Sequence, residues 1–161
     1  MIRLWKPIAN MTNEKNFLNL QVVVFLVLPV LYLVYLQMTN MVTGVGIKGI
    51  YAQNPLEGLN LLMNASNVYS AYVIYHYRKN QYIKGNFLAY IVVGIAQIFM
   101  MNAVGILMML YSICYFTGLS GIKKCFAEYP WGKNYKIIFS AGLVFVISLI
   151  LLAVRIKSII I

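Results

Sequence analysis

The chain has 161 residues, 62% hydrophobic and 10% charged, with a mean hydropathy of +0.80 and a formal charge of +10. Its ionisable groups are thirteen Lys and Arg, one His (His76) and three Glu (Glu14, Glu57, Glu128), with no Asp. That inventory excludes a paired-aspartate hydrolase, a Ser-His-Asp triad and a carboxylate-rich calcium or magnesium site, and the apolar excess is that of a membrane protein.

In hydrocarbon a backbone must satisfy its own hydrogen bonds, so each crossing is expected to be a helix of about 20 apolar residues. The expected fold is therefore all-α: one integral membrane domain over residues 1–161, built as a polytopic bundle of transmembrane helices. Met1, Leu4, Trp5, Ile8 and Met11 recur at helical spacing and would lay a short amphipathic segment on the inner surface, with Pro7 weakening it. Arg3 and Lys6 precede an apolar stretch that begins late and lacks an A-x-A-like site, so no cleaved signal is expected.

Asn16 to Ile47 is the first stretch without charge and holds a span at about 18–42, with Pro29 predicting a kink. A second span is expected at about 58–77, between Glu57 and the pair Arg78-Lys79, and it is the most polar of the set. Gly85 to Ile122 then runs 38 residues without charge, which as one helix would be about 57 Å long, nearly twice the hydrocarbon thickness. Tilt does not absorb such a mismatch. The stretch is therefore read as a helical hairpin, with spans at about 85–101 and 104–121 and its turn near Met101-Asn102-Ala103-Val104-Gly105. Pro130-Trp131-Gly132 and Tyr135 suit an interfacial loop before a last span at about 137–155.

Short inner loops carry the excess of Lys and Arg, which tests this count of five spans. With the N-terminus inside, ten basic residues (Arg3, Lys6, Lys15, Arg78, Lys79, Lys84, Lys123, Lys124, Lys133, Lys136) lie inside and three (Lys48, Arg155, Lys157) outside. Reading Gly85 to Ile122 as one span gives four crossings and a poorer division, eight inside against five outside. Arg155 and Lys157 fit the five-span reading least well and keep four spans as the alternative.

The sharpest polar pattern is Asn60, Asn64 and Asn67 in the second span, a face that continues through Ala71 toward Arg78. Amides are costly in hydrocarbon unless bonded. This face is thus the candidate surface for a partner or a solute, with interhelical packing as its plainer role; Ser66 and Ser70 add to it. His76 has no second His or nearby carboxylate in sequence, so no metal site is expected. Cys114 and Cys125 form no C-x-x-C pair and are expected to be free thiols. Met100, Met101, Met108 and Met109 near the turn are expected to fill space. No catalytic residue and no cofactor are expected, and the basic loops are too short to build a nucleic-acid surface.

The functional expectation is a non-catalytic multi-pass protein of a cell membrane, of the bacterial cytoplasmic type, with its N-terminus inside. It would contact the lipid bilayer and another membrane protein or itself, as an accessory subunit, assembly factor or immunity-type protein. The alternative is a small uncoupled transporter or channel for a neutral or lipid-like solute, using Asn60, Asn64 and Asn67; no Glu or Asp inside a span is available for coupling. An enzyme asks most of the residues present.

Overall fold

The computed structural model describes residues 13–81, 83–132 and 135–160, and at 116–121 and 158–160 the backbone alone. The expected amphipathic segment with Arg3 and Lys6, and Lys133 in the interfacial loop, lie outside the described residues. The described chain is helical, with no strand: α1 (Glu14–Thr43), α2 (Ile47–Gln53), α3 (Pro55–Lys79), α4 (Lys84–Phe99), α5 (Ala103–Tyr111), a π-helical stretch (Ser112–Thr117), α6 (Gly118–Glu128) and α7 (Tyr135–Ile160).

Local chemistry explains most of the boundaries. The Asn13 side chain accepts from the backbone N–H of Lys15 (3.1 Å) and starts α1 four residues before the apolar run at about 18. The helix continues through Pro29 and ends where Gly44, at φ 65°, returns its N–H to Asn40 O (2.9 Å). Asn54 caps α3 in the same way as Asn13 caps α1, through the N–H of Leu56 (3.2 Å), with Pro55 at the first helical position. Between α4 and α5 the chain turns at Met100–Asn102, inside the long uncharged stretch, and Asn102 Oδ1 accepts from Gly105 N (3.3 Å) to start α5. Met101 holds φ 56° there, a left-handed conformation that costs an L-residue about 1–2 kcal/mol. No proline stands between Thr117 and Glu128, and the helix continues through Gly118 and Gly121, outruns the expected span end at 121 and carries Lys123 and Lys124 within α6.

Among the described residues two helices are long and apolar enough to cross a membrane, α1 and α7. The segments Lys84–Phe99 and Ala103–Tyr115 are apolar but shorter. α1 and α7 suggest membrane association, as does what they expose: Val23, Leu26, Val30, Leu31, Val34 and Met38 on α1, and Phe139, Val146 and Ile150 on α7, are open on the outside of the bundle.

α3 is the central helix, packed against α1, α4 and α7. It runs antiparallel to α1: Tyr32 OH donates to Glu57 O (2.7 Å) and Glu57 Oε2 (2.9 Å) at one end, while Tyr77 stacks on Tyr90 (4.5 Å) beside Gln21 of α1 at the other. At that second end the backbone N–H groups of Lys84 and Gly85 donate to Pro130 O (2.9 Å) and Trp131 O (3.2 Å), so the loop before α7 starts α4. Lys84 Nζ donates to Phe126 O (3.0 Å) and lies over the Trp131 ring (4.8 Å), which fastens α6 to the same place. The fold thus gathers Lys15, Arg78, Lys79, Lys84, Lys123, Lys124 and Lys136 at one end of the bundle, the basic end, with Lys48 and Glu57 at the other.

Gly85 is needed at this junction because a Cβ there would lie 2.7 Å from Trp131 O, a backbone atom that cannot swing aside. Gly85→Ala is expected to displace the 130–132 loop and lower stability in detergent by about 1–3 kcal/mol. Gly142→Ala, whose Cβ would meet nothing within 4 Å, serves as the neutral comparison in the same thermal unfolding assay. Equal melting losses for the two would refute the close contact.

Candidate functional site

The amides of α3 face inward, where an apolar surround makes every unbonded N–H or C=O expensive. Asn64 answers this locally: its Nδ2 donates to Asn60 O one turn back (2.8 Å). Asn60 Nδ2 in turn lies 3.4 Å from Glu57 Oε2, within the Tyr32 and Tyr35 cluster at the far end. Asn67, fully buried, reaches across to the hairpin, where Asn102 Nδ2 donates to Asn67 Oδ1 (3.3 Å) and to Gln97 Oε1 (2.7 Å). Gln97 Nε2 donates to Ser70 Oγ (3.1 Å), and Ser70 Oγ in turn donates to Ser66 O (3.1 Å). Ser66 Oγ completes the seam, donating to Met63 O (2.7 Å) and to Met100 Sδ (3.0 Å).

A continuous polar seam therefore joins α3 to the tip of the α4–α5 hairpin. Gly105 lets the tip close this tightly: a Cβ there would lie 2.7 Å from Gln97 Oε1 and 3.0 Å from Asn102 Nδ2. Arg155, near the end of α7, donates from Nη1 to Met100 O (2.8 Å), placing a cation on a carbonyl at the C-terminus of α4. A second tie lies closer to the basic end, where Gln21 Nε2 donates to Met108 O (2.7 Å) and Tyr90 OH donates to Gln21 Oε1 (3.1 Å), joining α1, α4 and α5. The turn is level with the middle of α3, because Asn67 is twelve residues from both Pro55 and Lys79, or about 18 Å along the axis from either end.

The four residues of the expected face divide. Asn60, Asn64 and Asn67 share one side of α3, whereas Arg78 stands apart at the basic end, partly exposed over the Tyr75 ring (5.8 Å). Asn67 Nδ2 is buried with no bonding partner among the described residues. Gln97, Asn102, Gln21, Tyr90 and Arg155 complete the two polar clusters and were not anticipated as a group. A lone Gln within an uncharged helical stretch was the available signal, since a polar side chain in hydrocarbon demands a partner.

In chemical terms the seam consists of neutral amides and hydroxyls, which hold positions and do not exchange protons near neutral pH. The titratable groups lie elsewhere. His76 is flanked by Tyr72 (4.5 Å between ring centroids) and Tyr75 (5.5 Å). Cys114 is exposed; Cys125 is buried, and burial pushes its thiol up, opposed by Lys84. Among the described residues no three His, Cys, Asp or Glu side chains group in a way that could hold a metal ion. Met100 and Met109 are buried, Met109 against Gly94, while Met101 is open to the outside.

No protein family, no curated protein and no solved structure matches this chain.

If the seam works as bonded pairs, Ser70→Ala and Gln97→Leu should be less than additive. A double-mutant cycle read by unfolding in detergent is expected to give a coupling of about 0.6–1.7 kcal/mol. The pair Ser70→Ala with Gln21→Leu, drawn from the two separate clusters, should give a coupling near zero. Coupling of equal size in both cycles would argue against direct pairing.

Proposed function

We propose that this is an integral membrane protein that acts without catalysis, through contacts made inside the bilayer with another membrane protein or with a second copy of itself. One observation carries the reading: the interior polar groups bond to one another, while the outward faces of α1 and α7 are apolar. Such a molecule has shaped surfaces to offer within the membrane and, among the described residues, no aligned acid, base and nucleophile. Accessory, assembly and immunity-type roles all fit this chemistry. Transport of a neutral solute remains the second reading, favoured by the free donor on Asn67, although a single amide does not make a path.

In the proposed placement the basic end lies on the inner side of a cell membrane, following the positive-inside rule. α1, α3 and α7 cross completely. The α4–α5 hairpin enters from the inner side, and its turn, level with Asn67, is held near the middle of the bilayer. Irregular backbone at that depth is tolerable because Asn102 and Arg155 bond to it. This arrangement keeps the inside loops of the five-span reading but moves the hairpin turn, outside in that reading, to the middle of the bilayer.

Single cysteines in a variant lacking Cys114 and Cys125 test the placement. With a membrane-impermeant maleimide on intact cells, Lys48→Cys should label, Lys136→Cys should label only after permeabilisation, and Met101→Cys should resist labelling in both conditions. Labelling of Met101→Cys from outside would restore five complete crossings. Function is tested by affinity isolation of the tagged protein from its own membrane in mild detergent, followed by mass spectrometry. A stoichiometric membrane protein or a defined homo-oligomer is expected; recovery of the monomer alone would overturn the contact reading.

A further inference from the structure

Between α3 and the first turns of α7 the outer surface opens into a groove of about 640 Å³, lined by Tyr72, Tyr135, Lys136, Ile138, Phe139 and Ser140. That volume is in the range of small-molecule sites, roughly 300–1,000 Å³. Its walls are apolar along Ile138 and Phe139, and its one charge, Lys136, sits in the first turn of α7, at the basic end. Ser140 Oγ is already bonded to Lys136 O (2.9 Å), so the polar groups left facing a ligand are the Lys136 ammonium and the tyrosine hydroxyls. Tyr72 is braced from behind by the edge of His76 (4.5 Å).

We infer that this groove binds one anionic phospholipid, an acyl chain lying along Ile138, Phe139 and the Tyr72 ring and the phosphate meeting Lys136. The inference rests on the membrane reading above. Charge complementarity selects the anionic headgroup. Lys136 has no carboxylate partner among the described residues, and Glu128 on α6 is engaged by Lys124 (3.9 Å). The N–H groups of the first turn of α7 have no intrahelical acceptor and add positive potential at the same rim. Basic pockets between helices at the inner face are places where acidic headgroups are held. The order of the lining, charge at the membrane boundary and hydrocarbon walls leading away from it, matches the order of groups in a lipid.

Native mass spectrometry of the full chain in mild detergent tests this, with phosphatidylglycerol or phosphatidylcholine of identical acyl chains added in equal amount. One phosphatidylglycerol is expected to be retained about five-fold more than phosphatidylcholine, equivalent to ~1 kcal/mol for one lysine near an anionic surface. Lys136→Gln should remove the excess, Lys136→Arg should keep it, and Lys48→Gln at the opposite end should leave it unchanged. Phe139→Ser should lower retention of both lipids, with circular dichroism in detergent showing that each variant remains helical. Equal retention of the two lipids by the wild-type chain, or an excess that survives Lys136→Gln, overturns the proposal. So does a lipid-free dimer that Phe139→Ser dissociates, which would assign the groove to a second copy. Carbonate extraction of the membranes separates the two readings: release of the chain removes the membrane reading itself, whereas retention without the lipid excess removes the lipid site alone.

Discussion

Asn102 is the pivot of the molecule, because a backbone that reverses direction in an apolar surround exposes groups that neither water nor a regular helix can satisfy. Its side chain accepts from Gly105 N at the start of α5, while its amide donates to Gln97 on α4 and to Asn67 on α3. One residue thereby joins three elements. Replacing it by an apolar residue of similar size would free a helix terminus and two amide oxygens together, and the apolar surround offers no substitute donor. The strain of the adjacent Met101, at φ 56°, is carried by the same bonds.

The polarity of α3 follows from its position. It is the helix that α1, α4 and α7 all touch, so its surface is covered mostly by protein, and an amide there finds a partner more readily than lipid would provide one. α1 and α7 show the opposite composition for the opposite reason. In α1 Leu18, Gln21, Phe25 and Leu36 are buried, while Val23, Leu26, Val30, Leu31, Val34 and Met38 are exposed. A scale that ranks helices by hydropathy therefore picks α1 and α7 and passes over α3, although α3 is the one on which the packing depends.

Several features were readable from residues alone because they depend on short-range chemistry or on length. An uncharged stretch of 38 residues was too long for a single crossing, and the chain does reverse at Met100–Asn102. The basic segments that charge counting grouped together are gathered at one end by the Lys84 and Gly85 contacts with the 130–132 loop. The face formed by Asn60, Asn64 and Asn67 was visible as a helical period, but its destination was not, since nothing in the spacing tells Asn67 that Asn102 is 35 residues away in the chain and adjacent in space. Gly105 belongs to no recognisable small-residue pattern, and its importance comes from the Gln97 carbonyl oxygen that closes over it. The depth of the turn likewise depends on which residues of α3 it meets. The short α2 was missed because seven residues between the Gly44–Gly46 loop and the Asn54-Pro55 junction carry too little periodicity to be seen.

Arg155 gives the chain a temporal order. A ribosome delivers the hairpin some fifty residues before this guanidinium emerges, and throughout that interval Met100 O lacks its cationic donor. Until α7 arrives, the tip of the hairpin is held by its amides alone. α7 thus acts as a latch on a turn made some fifty residues earlier in the chain, and its arrival is registered at the buried centre of the protein.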